Sequence, residues 1–159
     1  MSNQERAGSA VEPARGARYR PARPATGEVE VLQRADGGPR LSVPGLQVSL
    51  SHTARHVAVA VAPGAVGVDL CEPAAAPAVR RAAIHVLAPA ERQLARESPD
   101  VLTAAWALKE AAVKAGRQSL FGEAPRRVRI VALTPPLLSG GRRVLVGSAG
   151  TAALAVVLP

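Results

Sequence analysis

The stretch WALKEAAVK, residues 106–114, holds both lysines of the chain, whereas the other 18 of its 20 basic residues are arginines. On a helix, Trp106, Glu110 and Lys114 lie on one side in consecutive turns because they are four residues apart. Lys109 sits beside Glu110 and can flank the same site. A compact ammonium suits phosphate capture and is not interchangeable with a guanidinium. The alternative is a surface Glu–Lys pair worth about 0.2–0.5 kcal/mol, which leaves the restriction of lysine to this stretch unexplained.

A second group of polar residues, SLSHT at 49–53, ends a predicted strand. Ser51, His52 and Thr53 offer hydroxyls, an imidazole and turn-like backbone close together, a combination that suits phosphate oxygens. A polar strand end without further role is the alternative.

Two acids, Asp69 and Glu72, stand in GVDLCEP at 67–73, at the end of a predicted buried strand. Oxygen ligands of this kind fit Mg²⁺, which is usually held by one or two carboxylates together with substrate phosphates. Glu110 could add a carboxylate from the helix. The alternative for Asp69 is a turn cap.

Hydrophobic periodicity predicts the elements that would position these side chains. Ser98 is a predicted N-cap and Gly116 a predicted C′ residue of the lysine-bearing helix. Strands followed by helices and then by strands predict an α+β fold. The expected strands are 28–33, 40–45, 46–52, 57–62, 66–70, 126–133, 142–148 and 151–159, and the expected helices are 77–88, 89–97 and 98–116.

The length of 159 residues indicates one domain, with a flexible Arg/Pro/Gly-rich arm at 1–27 and a folded part at 28–159. The single Cys71 excludes an internal disulfide, and with no signal-like or membrane-spanning apolar run we expect a cytoplasmic protein without a membrane partner. A net charge of +8 suits a phosphorylated small molecule, nucleic acid or an acidic protein, or it reflects arginine-biased composition alone. No basic stripe interleaved with aromatics is present, so we expect no nucleic acid partner.

The pieces SHT, GVDLCE and WALKEAAVK, in this order, resemble the surfactin-type branch of the 4′-phosphopantetheinyl transferase superfamily. The family pattern is Ser-His-Ser/Thr, then Gly-Ile/Val-Asp with further acids, then W-x-x-K-E-A-x-x-K, and the resemblance covers about residues 28–133. It implies an antiparallel sheet packed against two or three helices, with 28–65 as a shortened first half and 66–159 as the second half.

The resemblance implies Mg²⁺-dependent transfer of 4′-phosphopantetheine from coenzyme A to a serine of an acidic acyl or peptidyl carrier protein, in fatty-acid or secondary-metabolite biosynthesis. Glu110 and Lys114 would be catalytic. By the same resemblance, Ser51, His52, Thr53, Lys109 and Lys114 would bind coenzyme A, and Asp69, Glu72 and Glu110 would bind Mg²⁺.

Some positions differ from the family pattern. Cys71 stands at the third position of the surfactin-type D-x-E, with the acid following at Glu72, and Gly38 stands where the pattern has lysine or arginine. The shortened first half leaves a homo-oligomer as one way to complete the site. The alternative function is a catalytically impaired homologue that binds coenzyme A or a carrier protein as an accessory factor.

Overall fold

The computed structural model describes residues 9–13, 29–96, 98–120 and 122–159. The strands are β1 Ser9–Pro13, β2 Val31–Gln33, β3 Pro39–Leu41, β4 Gln47–His52, β5 His56–Ala62, β6 Gly67–Cys71, β7 Ile130–Leu133, β8 Pro136–Leu138, β9 Val144–Ala149 and β10 Ala152–Val157. The helices are α1 Ala76–Val86, α2 Pro89–Leu94, α3 Pro99–Ala115 and α4 Ala124–Arg127, and a short 3₁₀ turn at Pro73–Ala75 precedes α1.

The strands pair antiparallel in small sheets, and the helices lie in the sequence between β6 and β7. One sheet has the order β1-β5-β4 and the other β6-β10-β9, while β2-β3 and β7-β8 are two-stranded. The predicted α+β class is confirmed.

Helix α3 packs against β6 and β10 and carries much of the core. Its N-terminus is capped as predicted, because the Ser98 Oγ accepts a hydrogen bond from the Val101 N–H at 3.1 Å. Its C-terminus differs from the prediction. Gly116 keeps a right-handed conformation, and Arg117 is the left-handed residue, with φ of 52°.

The contact between β6 and α3 depends on Gly67. A Cβ atom at this position would overlap the Ala111 carbonyl oxygen and lie 2.7 Å from the Ala115 nitrogen. Both are backbone atoms of α3, so neither can move aside without moving the helix. The close approach of strand and helix therefore requires glycine here.

Side chains join the two main sheets where β4 runs beside β6, a contact that we call the seam. The Ser49 Oγ accepts a hydrogen bond from the Val68 N–H at 3.0 Å, and the Ser51 Oγ accepts one from the Leu70 N–H at 3.1 Å. In the part of the chain that the structure describes, β4 and β6 share no backbone ladder. Hydroxyl groups thus satisfy the edge of the second sheet.

Three segments differ from the sequence-based expectations. Ser9–Pro13, within the predicted arm, forms β1 on the edge of β5, and the rest of that arm, 1–8 and 14–27, lies outside the described residues. The strand expected at 126–133 begins only at Ile130, because α4 occupies the preceding residues, and the strand β8 was not expected. None of the helices in the described ranges is long and apolar enough to cross a membrane.

Candidate functional site

The Lys114 ammonium lies in the seam and contacts both sheets. Its Nζ donates to Asp69 Oδ1 at 2.7 Å, to the Val68 carbonyl oxygen at 3.2 Å and to the Leu50 carbonyl oxygen at 3.3 Å. The Lys114 side chain is 31% exposed and that of Asp69 is 5% exposed. Lys114 is therefore both a link between the sheets and a cation that solvent or a ligand can reach.

Asp69 is held from both sides of the seam. The Ser51 hydroxyl donates to Asp69 Oδ1 at 2.8 Å, on the same oxygen that Lys114 contacts. Burial raises the pKa of Asp69, although the charge and hydrogen bond of Lys114 and the hydrogen bond of Ser51 oppose this rise. Ser51 thus orients the carboxylate, in addition to satisfying the edge of β6.

Glu110 lies on α3 one turn before Lys114, within electrostatic range of Asp69. The Trp106 Nε1–H donates to Glu110 Oε2 at 2.8 Å, which fits the expected placement of these residues on one side of the helix. Burial raises the pKa of Glu110, and the negative charge of Asp69 raises it further, against the opposing effects of Lys114 and Trp106. The structure therefore brings together Asp69, Glu110 and Lys114.

Glu72 has other partners. Its Oε1 accepts from the Thr53 hydroxyl and its Oε2 from the Thr151 hydroxyl, both at 3.0 Å, and His56 Nδ1 lies 3.5 Å from Oε1. Burial alone would raise the pKa of Glu72, but the hydrogen bonds from Thr151 and Thr53 outweigh it, and the pKa is lowered. This placement differs from the prediction, because both oxygens of Glu72 are engaged away from Asp69 and Glu110.

Cys71 stands between Asp69 and Glu72 in the sequence, and its side chain is buried. Burial, together with the charges of Asp69, Glu110 and Glu72, raises the pKa of its thiol to about 12. The side chain is therefore a neutral thiol at neutral pH, and such a group is a poor ligand for Mg²⁺, which prefers oxygen.

Fewer carboxylates than predicted are available to bind a divalent cation. No group of three or more His, Cys, Asp or Glu side chains within the described ranges is arranged to hold a metal ion. The buried carboxylate of Asp69 and the partly buried carboxylate of Glu110 are nevertheless near enough for the charge of Asp69 to raise the pKa of Glu110, a situation that a cation relieves. Because Mg²⁺ is commonly held by one or two carboxylates with substrate phosphates, these two residues fit it and Glu72 does not.

Lys109 does not flank this group, contrary to the prediction. Its Nζ donates to Glu91 Oε1 at 2.6 Å and to the Val128 carbonyl oxygen, and the side chains of Lys109 and Glu91 are 0% and 2% exposed. Glu91 also accepts the backbone N–H groups of Ala88 and Ile130, each at 2.6 Å. The pair fixes α2, α3 and the start of β7 to one another, so Lys109 has no access to a ligand.

The other residues predicted to bind phosphate differ in how accessible their polar groups are. The His52 side chain is exposed at the end of β4. The Thr53 hydroxyl is committed to Glu72 and accepts the N–H groups of Arg55 and His56 in the following turn, both at 3.1 Å. Lys114, in contrast, lines a cavity of about 500 Å³ between the β2–β3 turn, β4 and the end of α3.

Sequence reasoning missed Thr151 as a partner of Glu72, and it missed the arginines of the cavity. Thr151 lies 79 positions from Glu72, and an isolated threonine gives no signal at that separation. Arg34 and Arg117, which line the cavity with Lys114, were hidden by the abundance of arginine elsewhere in the chain.

Comparison with known proteins adds no further constraint. The chain matches no protein-family model and no curated protein.

Proposed function

We propose that this protein transfers 4′-phosphopantetheine from coenzyme A to a serine of an acidic acyl or peptidyl carrier protein. The observation that carries the proposal is the meeting of Asp69, Glu110 and Lys114 at the seam, with Lys114 also lining a cavity of about 500 Å³. The order of the three motifs in the sequence supports the same reading, and the α+β arrangement of antiparallel strands and helices is compatible with it.

In the proposed reaction, the carrier serine oxygen attacks the phosphorus that bears the pantetheine arm. A new P–O bond forms to the serine, the P–O bond to the bridging oxygen of the pyrophosphate breaks, and 3′,5′-ADP leaves. Glu110, directly or through a water, accepts the serine proton, because it is the partly buried carboxylate with one oxygen held by Trp106. Lys114 neutralises the pyrophosphate charge, which is the main requirement of phosphoryl-type transfer.

Mg²⁺, when held by Asp69 and Glu110, would neutralise further charge on the pyrophosphate. In this chain, Asp69 is already oriented by Ser51 and Lys114, so the carboxylate is positioned by the protein itself. His52, exposed at the end of β4, and Lys114 are predicted contacts for the coenzyme A phosphates that remain accessible. The net charge of +8 suits an acidic carrier.

A second candidate function is a catalytically impaired homologue that binds coenzyme A or a carrier protein as an accessory factor. It is favoured by the neutral thiol of Cys71 at a family acid position and by the engagement of Glu72 with Thr53 and Thr151. Both features reduce the number of carboxylates at the cation site to two.

The test is incubation of the protein with coenzyme A, Mg²⁺ and a panel of apo carrier proteins, followed by intact-protein mass spectrometry. Transfer adds about 340 Da, the mass of the arm, to a carrier. Coenzyme A binding without any mass shift would favour the accessory function, and absence of both binding and transfer would reject the two proposals together.

Glu110→Gln should abolish the mass shift while the circular dichroism and thermal melting of the protein stay native-like, because glutamine keeps the hydrogen bond from Trp106. Glu123→Gln is the matched control, since that side chain is 73% exposed. Because the pKa of Glu110 is raised above its ordinary 4.5, the wild-type rate should fall with decreasing pH at a higher pH than an ordinary glutamate would give. Undiminished transfer by Glu110→Gln would remove this residue from the mechanism.

A further inference from the structure

Arg34 folds back over the β2–β3 turn and fills the space beside Gly38. A Cβ atom on Gly38 would overlap the Arg34 guanidinium, lying 3.1 Å from its Cζ and 3.1 Å from Asp36 Oδ1. The turn itself is closed by the Gly37 N–H donating to the Arg34 carbonyl at 3.0 Å and the Arg34 N–H donating to the Gly38 carbonyl at 2.8 Å. The absence of a side chain at Gly38 is therefore what admits the guanidinium.

Among the described residues, the Arg34 guanidinium is held through its Nε nitrogen. Its Nε donates to Asp36 Oδ1 at 3.0 Å, and the same oxygen accepts the Gly38 N–H at 2.9 Å. The hydrogen bond that the guanidinium makes to the described residues uses Nε and neither of the two terminal nitrogens. Because a guanidinium binds phosphate through such paired N–H groups, the side chain is oriented and yet able to accept a ligand.

The cavity beside this turn is cationic. Arg34, Lys114 and Arg117 line it, and among the described lining residues Asp36 is the acidic one. Arg34 and Arg117 both lower the pKa of Asp36, Arg34 more strongly through its hydrogen bond. Three cations from two halves of the chain thus converge on one space of about 500 Å³.

Arg117 occupies its place against its own backbone preference. Its φ of 52° lies in the left-handed region that favours glycine. Its side chain donates to Gln47 Oε1, another residue of the cavity, and this contact ties the end of α3 to the start of β4. Strained backbone of this kind is retained where the surrounding structure and the site require it.

We propose that Arg34, whose guanidinium fills the space beside Gly38 where the family pattern has a basic residue, binds a phosphate group of the ligand in this cavity together with Arg117 and Lys114. The inference rests on the proposed function for the identity of the ligand, coenzyme A, but its chemistry requires only a phosphate. In coenzyme A, that phosphate is either the 3′-phosphomonoester or part of the pyrophosphate.

The experiment measures binding of coenzyme A and of dephospho-coenzyme A by isothermal titration calorimetry, to wild type and to Arg34→Ala. Loss of a charge-assisted contact should weaken binding about tenfold or more. A loss confined to coenzyme A identifies the 3′-phosphate as the group at Arg34, and an equal loss for both ligands identifies the pyrophosphate. The control is Arg81→Ala, which removes an equal charge from an exposed position on α1.

A relocation variant makes the test specific. Arg34→Ala with Gly38→Lys places an ammonium on the vacated side of the turn, and Gly38 has no positive φ that would resist a side chain. This double variant should recover most of the lost affinity, whereas in Gly38→Lys alone the flexible end of Arg34 must move aside. Asp36→Asn should tighten binding, because it removes the acid from the cavity lining while leaving an acceptor for the Gly38 N–H.

The proposal is overturned if Arg34→Ala binds both ligands as tightly as Arg81→Ala does. Transfer activity separates this outcome from failure of the proposed function. Wild-type transfer with unchanged binding by Arg34→Ala rejects the role of Arg34 alone. A wild type that transfers nothing, yet binds inorganic pyrophosphate in an Arg34-dependent manner, rejects the transfer reaction and leaves the phosphate site in place.

Discussion

The two lysines of WALKEAAVK lie five residues apart on one helix and have opposite environments. At about 100° per residue, five positions amount to roughly 140° around the helix axis beyond a full turn. Lys109 consequently faces the core, where it pairs with Glu91, while Lys114 reaches the seam and Asp69. The lysine restriction therefore has two explanations, a buried ion pair for one residue and an accessible ammonium for the other.

We predict that Lys109→Met lowers the free energy of unfolding by about 3–5 kcal/mol, because it leaves the Glu91 carboxylate buried without its counter-charge. Lys114→Met should cost less stability, because Lys114 is partly exposed, and should weaken ligand binding instead. Urea denaturation and calorimetric titration with coenzyme A measure the two effects. Equal destabilisation by the two variants would contradict this division of roles.

At the scale of elements, the contact of β6 with α3 sets the position of both acids. β6 carries Asp69, α3 carries Glu110, and their separation is fixed where Gly67 meets the helix backbone. Packing against α3 therefore requires the glycine of the GVD motif, independently of any ligand.

Gly67→Ala should destabilise the protein by on the order of 3 kcal/mol, because the added methyl group must displace the backbone of α3. The matched control is Gly147→Ala on β9, where a Cβ meets no atom within 4 Å and the change should stay within about 0.5 kcal/mol of wild type. Thermal and urea unfolding, followed by the fluorescence of the single Trp106, give both values. A Gly67→Ala protein of native stability would show that the strand and helix can separate without cost.

The local sequence predicted those helices and strands that have a capping residue, a turn motif or a strict hydrophobic period. Ser98 marks the start of α3, and the alternation of VAVAVA matches β5. The left-handed Arg117 carries no such signal, because glycine stands next to it and is the residue expected there. The site was predictable to the same extent. The spacing of four residues places Trp106 and Glu110 on one side of the helix, but nothing local indicates that Glu91 pairs with Lys109.

For the whole molecule, the seam couples the two main sheets through hydroxyl groups and one ammonium. Ser49 is buried, and its Oγ satisfies the Val68 N–H. Lys114 adds carbonyl contacts on both sides. The cavity beside the β2–β3 turn has walls from both halves of the chain, so its shape depends on this coupling.

Ser49→Ala should lower the free energy of unfolding by about 1–3 kcal/mol, because it leaves the Val68 N–H buried without an acceptor. Ser148→Ala, at an exposed position on β9, serves as the control and should be close to neutral. Hydrogen exchange followed by mass spectrometry should show faster exchange in β6 for Ser49→Ala. If exchange in β6 were unaffected, the hydroxyl would not be what holds the second sheet to the first.

The single cysteine has a practical consequence. Cys71 is buried in β6 next to the acids of the site, and with a pKa of about 12 it is almost wholly unionised at neutral pH. Since the thiolate is the reactive form, an alkylating reagent can modify the folded chain only after β6 becomes accessible. The rate of alkylation, read as a mass increase without any engineered label, would therefore report how often the native molecule opens at β6, beside Asp69, and bound coenzyme A should slow it if it binds there as proposed.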